Sequence, residues 1–353
     1  IEDGDTRLKL VQLKELAEQL GVSSASISIV RQGKTGVSAA TRRKIEIALA
    51  ENGYSYIPFI QRTYPEVRSF SNEGSGGKIL LLKYYSSALL TDQNEGFVES
   101  IIDAVSASVK SSGYALELVG INSTEYAGFL SALIPANYVG MLVIATEMTE
   151  DDLCLLASVK LPIVVMDTDY ACIPQSSVSM NNRRLAFEAV RELSDAGEVG
   201  FLRSAQQTGN FHGRYLGYLE AIHAQGLPDG PDLQFTLTPS LKEATLEMEK
   251  YLQSGRRIPK ALFAGNDVIA IGCIKALRKN GIRVPEDVRI IGVDDTLLSQ
   301  VISPSLSSMQ IPKTDLGVNA IVLLLNRIQD PAAPNIHLRL DAQLIRRHSS
   351  RKT

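Results

Sequence analysis

The 353-residue chain has no tryptophan, four histidines and three cysteines. His212, His223, His337 and His348 follow no metal-ligand spacing, and none accompanies a nucleophile elbow. No glycine run leads from a strand into a helix, so no dinucleotide fingerprint is met. These absences speak against an enzyme and against a metal or cofactor. Cys154, Cys172 and Cys273 are scattered, odd in number and without a CxxC pair. A disulfide framework is therefore not expected, and a reducing compartment is. No apolar run reaches the roughly 20 residues of a membrane span. The opening IEDGDTRLKL is acidic and lacks the basic-then-apolar order of a signal peptide. A cytoplasmic protein without membrane contact is the expectation. The first residue is Ile1 and not methionine, from which a trimmed or partial N-terminus is expected.

What is present is unevenly charged. Residues 6–57 hold eight Lys/Arg and four Asp/Glu, whereas residues 58–353 hold 28 and 32. From Ile27 to Ile45 there are five basic residues and no acidic one. Such segregation is the footprint of a small nucleic-acid-binding head on a neutral or acidic body.

The head reads as short helices. Val11, Leu13, Leu16, Ala17 and Leu20 recur at helical spacing until Gly21. A second helix starts at Ser23 or Ser24, with Ile27 and Val30 three apart, and Gly33 and Gly36 break it. Ser38 suits the N-cap of a third helix that runs to about Asn52. This order is the helix-turn-helix plan, over residues 8–57. Residues 58–77, containing FSNEGSGG, read as a linker.

From Lys78 onward short apolar runs alternate with helical patterns. Strands are expected at KILLLKYY, Ala115–Val119, Gly140–Ala145, Pro162–Met166, Val199–Leu202, Ala261–Ala264 and Val288–Val293. Helices are expected at Gly96–Ser112, Glu150–Val159, Asn182–Ala196, Gly213–Gln225, Leu241–Ser254 and Val268–Asn280. Alternation at this density predicts an α/β core of parallel sheets covered by helices. The core, 78–348, is long enough for two doubly wound lobes with a cleft between them. Lobe 1 is expected at about 78–178 plus 311–335, and lobe 2 at about 179–308 plus 336–346.

Two stretches carry a family likeness. QLKELAEQLGVSSASISIV, from Gln12 to Val30, resembles the helix-turn-helix of the LacI/GalR (lactose/galactose-repressor) family, whose wording is close to T-I-K-D-V-A-x-x-A-G-V-S-x-A-T-V-S-R-V. Val37–Ile45 resembles the start of that family's third helix, and Gly53-Tyr54 its close. PKALFAGNDVIAIGCIKALRKNGIRVPEDVRIIGVDD, from Pro259 to Asp295, is similar to the family's core, as are Arg214-x-x-Gly217-Tyr218, Pro304-Ser305-Leu306 and Ile311-Pro312. The chain departs from the pattern at Ile29, where the family often has Arg, and in the linker. There Pro58 comes late and Pro65 would interrupt a hinge helix.

The resemblance implies a helix-turn-helix head on a two-lobed, periplasmic-binding-protein-like core in which the chain crosses between the lobes three times. It implies a transcription regulator, most often a repressor, that binds a double-stranded operator as a homodimer under control of a small-molecule, carbohydrate-like effector. A solute-binding protein without DNA is the alternative. Ser24, Ala25, Ser26, Ser28, Ile29, Arg31, Lys34 and Arg42 are the residues carried over to DNA contact, with base edges read from the helix and phosphates met by the basic groups. Asp167, Arg214, Asn266 and Asp294 are carried over to the effector. All but Arg214 end predicted strands, where open α/β sheets place ligands. Asp and Asn accept from hydroxyls and Arg donates in a fork, a set suited to a polyhydroxyl or anionic molecule. Tyr170 and Phe211 are the rings positioned for stacking.

Overall fold

The computed structural model describes residues 13–31, 36–38, 41, 42, 44, 45, 48, 49, 77–87, 96–170 and 173–352. Lys34, Cys172, Gly53-Tyr54 and the linker up to residue 76 lie outside them. The chain divides into two units, Ile1–Ser71 and Asn72–Thr353.

In the first unit, α1 (Leu13–Leu20) and α2 (Ser24–Arg31) are joined at Gly21. Gly21 has φ +62°, which glycine adopts without a Cβ clash. Its amide donates to the Glu18 carbonyl, and the Val22 amide to that of Ala17, ending α1. The Ser23 hydroxyl accepts from the Ser26 amide and caps α2. Ser38 caps the third helical segment by accepting from the Thr41 amide. Leu16, Ala17, Ile27, Val30, Ile45, Ala48 and Leu49 close into one small core, so the apolar spacing read from the sequence is the spacing that packs.

The second unit holds two six-stranded sheets. The first has the order β11-β5-β4-β3-β1-β2, made from β1 (Lys78–Tyr85), β2 (Ala115–Asn122), β3 (Gly140–Ile144), β4 (Ile163–Met166), β5 (Ser176–Met180) and β11 (His337–Leu340). The second has the order β12-β10-β9-β8-β6-β7, from β6 (Gly200–Ser204), β7 (Gln234–Leu237), β8 (Ala261–Ala264), β9 (Arg289–Val293), β10 (Ser307–Gln310) and β12 (Gln343–Ile345). Every pairing is parallel except β10 with β12. Parallel strands are buried on both faces, which is why β3, β4 and β8 are continuous apolar runs without alternation. In each sheet the first strand lies inside the second, a 2-1-3-4-5 winding whose order reverses beside that first strand, and such a reversal opens a crevice at the strands' carboxyl ends.

Helices cover these sheets: α3 (Phe97–Ser111), α4 (Ser123–Ala132), α5 (Glu150–Leu155), α6 (Asn182–Leu193), α7 (Gly209–Ala224), α8 (Leu241–Gln253), α9 (Asp267–Lys279), α10 (Leu297–Val301) and α11 (Lys313–Gln329). Two glycines allow close helix contact. A Cβ at Gly217 on α7 would overlap the Arg183 carbonyl on α6, and one at Gly317 on α11 would lie 2.9 Å from Ala104 on α3.

One boundary needs correction. Residues 336–346 were expected in the second lobe, but β11 pairs with β5 in the first sheet and only β12 joins the second. The cause is local. The β5 hydroxyls need partners, and the returning chain supplies them: Ser176 accepts from the Ile336 amide, and the Ser177 hydroxyl meets Nδ1 of His337 at 2.9 Å. The chain thus passes between sheets after Met180, after Gln310 and after Leu340.

Candidate functional site

The carboxyl ends of β3 and β4 meet those of β8 and β9 through one buried polar network. Asp167 follows β4 directly and takes φ +58°, a left-handed conformation uncommon for a residue other than glycine and frequent at functional sites. Its Oδ2 accepts from the Thr146 hydroxyl, just beyond β3, at 2.6 Å. Asn210, on the first turn of α7, donates from Nδ2 to the Asp167 carbonyl at 2.9 Å and to Oδ1 at 3.4 Å. Asn182, the first residue of α6, donates to Asn210 Oδ1 at 3.0 Å and accepts from Nε of Arg214 at 2.9 Å. Arg214 also donates from Nη1 to the Gly265 carbonyl at 2.6 Å, and its Nη2 lies 3.6 Å from Asp294 Oδ1. Its guanidinium stands 5.5 Å from the centre of the Phe211 ring.

Burial sets the electrostatics. Asp167 is 1% exposed, Arg214 5% and Asp294 3%. Burial pushes the Asp167 carboxyl up to about 7. The Thr146 hydrogen bond and the Arg214 charge oppose this, while Asp294 reinforces it. Asp169, two residues on, is raised too, chiefly by burial, although Arg339 on β11 pairs with it at 3.0 Å. Three of the four core residues picked from the sequence, Asp167, Arg214 and Asp294, therefore share one charge network that spans both lobes. Asn266 is buried nearby, but its side-chain oxygen caps α9 by accepting from the Ile269 amide at 3.0 Å. The ring of Phe211 borders the network, and Tyr170 packs partly buried against the first lobe's core.

Sequence reasoning missed the connectors. Asn182, Asn210, Thr146 and Asp169 link what it picked. Asn182 stands in a stretch already noticeable for its paired asparagines, and Asn210 in the Gly/Asn-rich text before Arg214; Thr146 carried no local signal. The neighbouring Asp267 is structural. It accepts from the Thr296 amide at 2.8 Å and the Ser308 hydroxyl at 2.6 Å, locking the start of α9 to the loop after β9 and to strand β10. Arg214 sits inside α7, which begins at Gly209 with Thr208 as its cap, and not at a helix start.

In the head, Ser24, Ala25, Ser28 and Arg31 are exposed on α2, while Ser26, Ile29 and Arg42 are half-buried. Ser26 shares a 2.9 Å hydroxyl contact with the capping Ser23. Lys44 donates to the Leu20 carbonyl at the end of α1.

Comparison with known proteins agrees with this architecture. Residues 194–350 match the family profile of a periplasmic binding protein-like domain. The HTH-type transcriptional repressor PurR of Pasteurella multocida is 28% identical over 345 residues, 96% of this chain and 98% of that protein. The HTH-type transcriptional repressor CytR of Escherichia coli is 26% identical over 349 residues, 96% of each. Among solved structures, the transcriptional regulator CelR–cellobiose complex aligns with a TM-score of 0.69 at 23% identity, covering 96% of this chain and 99% of its own. The lac repressor dimer bound to operator and the anti-inducer ONPF aligns at 0.68 and 21%, covering 97% and 99%.

Proposed function

Because this chain belongs to the LacI/GalR family of helix-turn-helix transcription regulators, we propose that it is a repressor whose operator binding is set by a small molecule held between the lobes of its core. Residues 8–57 form the DNA-binding head, 58–77 the linker and 78–348 the effector-binding and dimerising core. Ser24, Ala25, Ser26, Ser28 and Ile29 contact the major groove, and Arg31, Lys34 and Arg42 the phosphates. Ser24, Ala25 and Ser28 being exposed on α2 supports this. Asp167, Arg214, Asn266 and Asp294 bind the effector.

The observation that carries the reading is the network from Asp167 through Asn210 and Asn182 to Arg214 and Asp294. It bridges two sheets, so an effector that competes for those hydrogen bonds changes how the lobes are held. Such a molecule favours one lobe arrangement, and the population shift is what DNA affinity responds to. A carbohydrate-like effector, rich in hydroxyl donors and acceptors, suits the carboxylates and amides.

Exposed apolar side chains support a homodimer. Leu297 is 72% and Val301 70% exposed on α10, beside a groove lined by Leu241, Ile274 and Leu298. Leu118 is exposed on the edge strand β2 of the other lobe. A palindromic operator requires two heads, and a self-complementary apolar face provides the pairing.

The test is selection of genomic fragments from the source organism on the immobilised full-length protein, followed by binding measurements on the enriched sites. The full chain is expected to enrich a short palindromic sequence, and the chain lacking residues 1–57 to enrich none. Equal enrichment by both would sink the proposal.

A further inference from the structure

The carboxyl edge of the first sheet contains a second feature, outside the network just described. Ser86 and Ser87 follow β1, and Glu147 lies three residues past β3. The two strands are neighbours with Lys83 opposite Ile144, a register that brings residues 86 and 147 side by side. One carboxylate oxygen of Glu147, Oε2, accepts four times: from the Ser86 amide at 2.8 Å and hydroxyl at 3.0 Å, and from the Ser87 amide at 2.9 Å and hydroxyl at 3.3 Å. Glu147 is 5% exposed. Successive backbone N–H groups joined by two hydroxyls are the donor set of an anion site, and here the protein's own carboxylate fills it.

The rest of the cleft network offers an anion little. Its buried cation among the described residues is Arg214, whose Nε and Nη1 donate to Asn182 and Gly265 and whose Nη2 faces Asp294. Asp167, buried, and Asp169, partly buried and paired with Arg339, add two more acidic side chains. A phosphate or carboxylate entering here meets acidic side chains and finds the Arg214 donors already engaged.

Resting on the effector-controlled reading above, we propose that Glu147 is a specificity-determining residue. Its carboxylate is a tethered anion that occupies the Ser86–Ser87 subsite, so the effector is an uncharged, hydroxyl-bearing molecule and anionic analogues are excluded. This narrows the polyhydroxyl-or-anionic set that the sequence left open to its uncharged half.

The experiment is thermal unfolding of the full-length protein and of Glu147→Ala, titrated with inorganic phosphate and with acetate against chloride at matched ionic strength. The wild type is expected to show no saturable stabilisation by either anion. Glu147→Ala is expected to melt lower and to be rescued saturably, with an affinity for the anions at least about tenfold above any wild-type binding, as expected when one like charge is removed from a site. Adding Ser86→Ala and Ser87→Ala is expected to weaken the rescue. Saturable phosphate binding by the wild type overturns the proposal, and this arm does not depend on the variant folding. A folded Glu147→Ala that neither anion stabilises also overturns it. If phosphate binds the wild type and also alters operator affinity, the effector-controlled reading survives and only the exclusion of anions falls.

Discussion

Asp167 concentrates the residue-scale chemistry. It is strained in the left-handed region, buried, and held between a donor from each lobe. Its carboxyl ordinarily titrates near 3.8 and in the folded protein is raised to about 7, as is that of Asp267. The folded state therefore holds these protons more tightly than the unfolded chain does. By linkage, the two groups make stability fall as pH rises from about 4 to about 7, with the penalty levelling off above that window. Asp167→Asn keeps the shape and tolerates the positive φ. It is expected to flatten part of that decline in melting temperature while leaving the contribution of Asp267. An unchanged pH slope in the variant would show that Asp167 is ionised in the folded state. The residues that face Asp167 were only half legible. Asp, Arg and Asn at strand ends advertise a site, but nothing in the text around Thr146 says that its hydroxyl ends 2.6 Å from a carboxylate 21 positions away.

At the scale of elements, α9 shows how a sequence signal can serve two readings. Asn266-Asp267 opens the helix in a stretch where the resemblance points to an effector contact. In the structure the Asn266 oxygen accepts from the Ile269 amide, and Asp267 braces Thr296 and Ser308. Asn266→Ala is expected to cost about 1 kcal/mol in urea unfolding, the usual worth of a cap, and Asn266→Ser to recover most of it. If alanine is neutral, the oxygen is not capping and is free for other use. Strands of apolar residues, such as β3 and β8, were readable because burial on both faces leaves no other composition. β5, with the sequence SSVSM, was not. Its serines are buried only because Ile336 and His337 return some 160 residues later to satisfy them. The same long-range pairing moved residues 337–340 from the expected second lobe to the first.

At the scale of the whole molecule, Leu297 and Val301 on α10 are the most exposed large apolar side chains among the described residues, on the face proposed above for pairing. Val301→Asp is expected to convert a dimer into a folded monomer in sedimentation, with far-ultraviolet circular dichroism unchanged and operator affinity reduced. A Val301→Asp protein that remains dimeric would place the interface elsewhere. Two lobes of identical winding, tied by three crossings and one polar network, are the unit on which the proposed effector control would act.

The sequence by itself determined the local design: a basic helical head with a glycine turn, strand–helix alternation, and candidate ligand groups at strand ends. Those features follow from periodicity and backbone chemistry, which act over a few residues. The tertiary structure decided which lobe owns β11, which donors Arg214 has already committed, and that Glu147 fills the Ser86–Ser87 subsite. Each of these is a pairing of buried polar groups. Such groups must find partners wherever the fold brings them, and that place is not written in their neighbours along the chain.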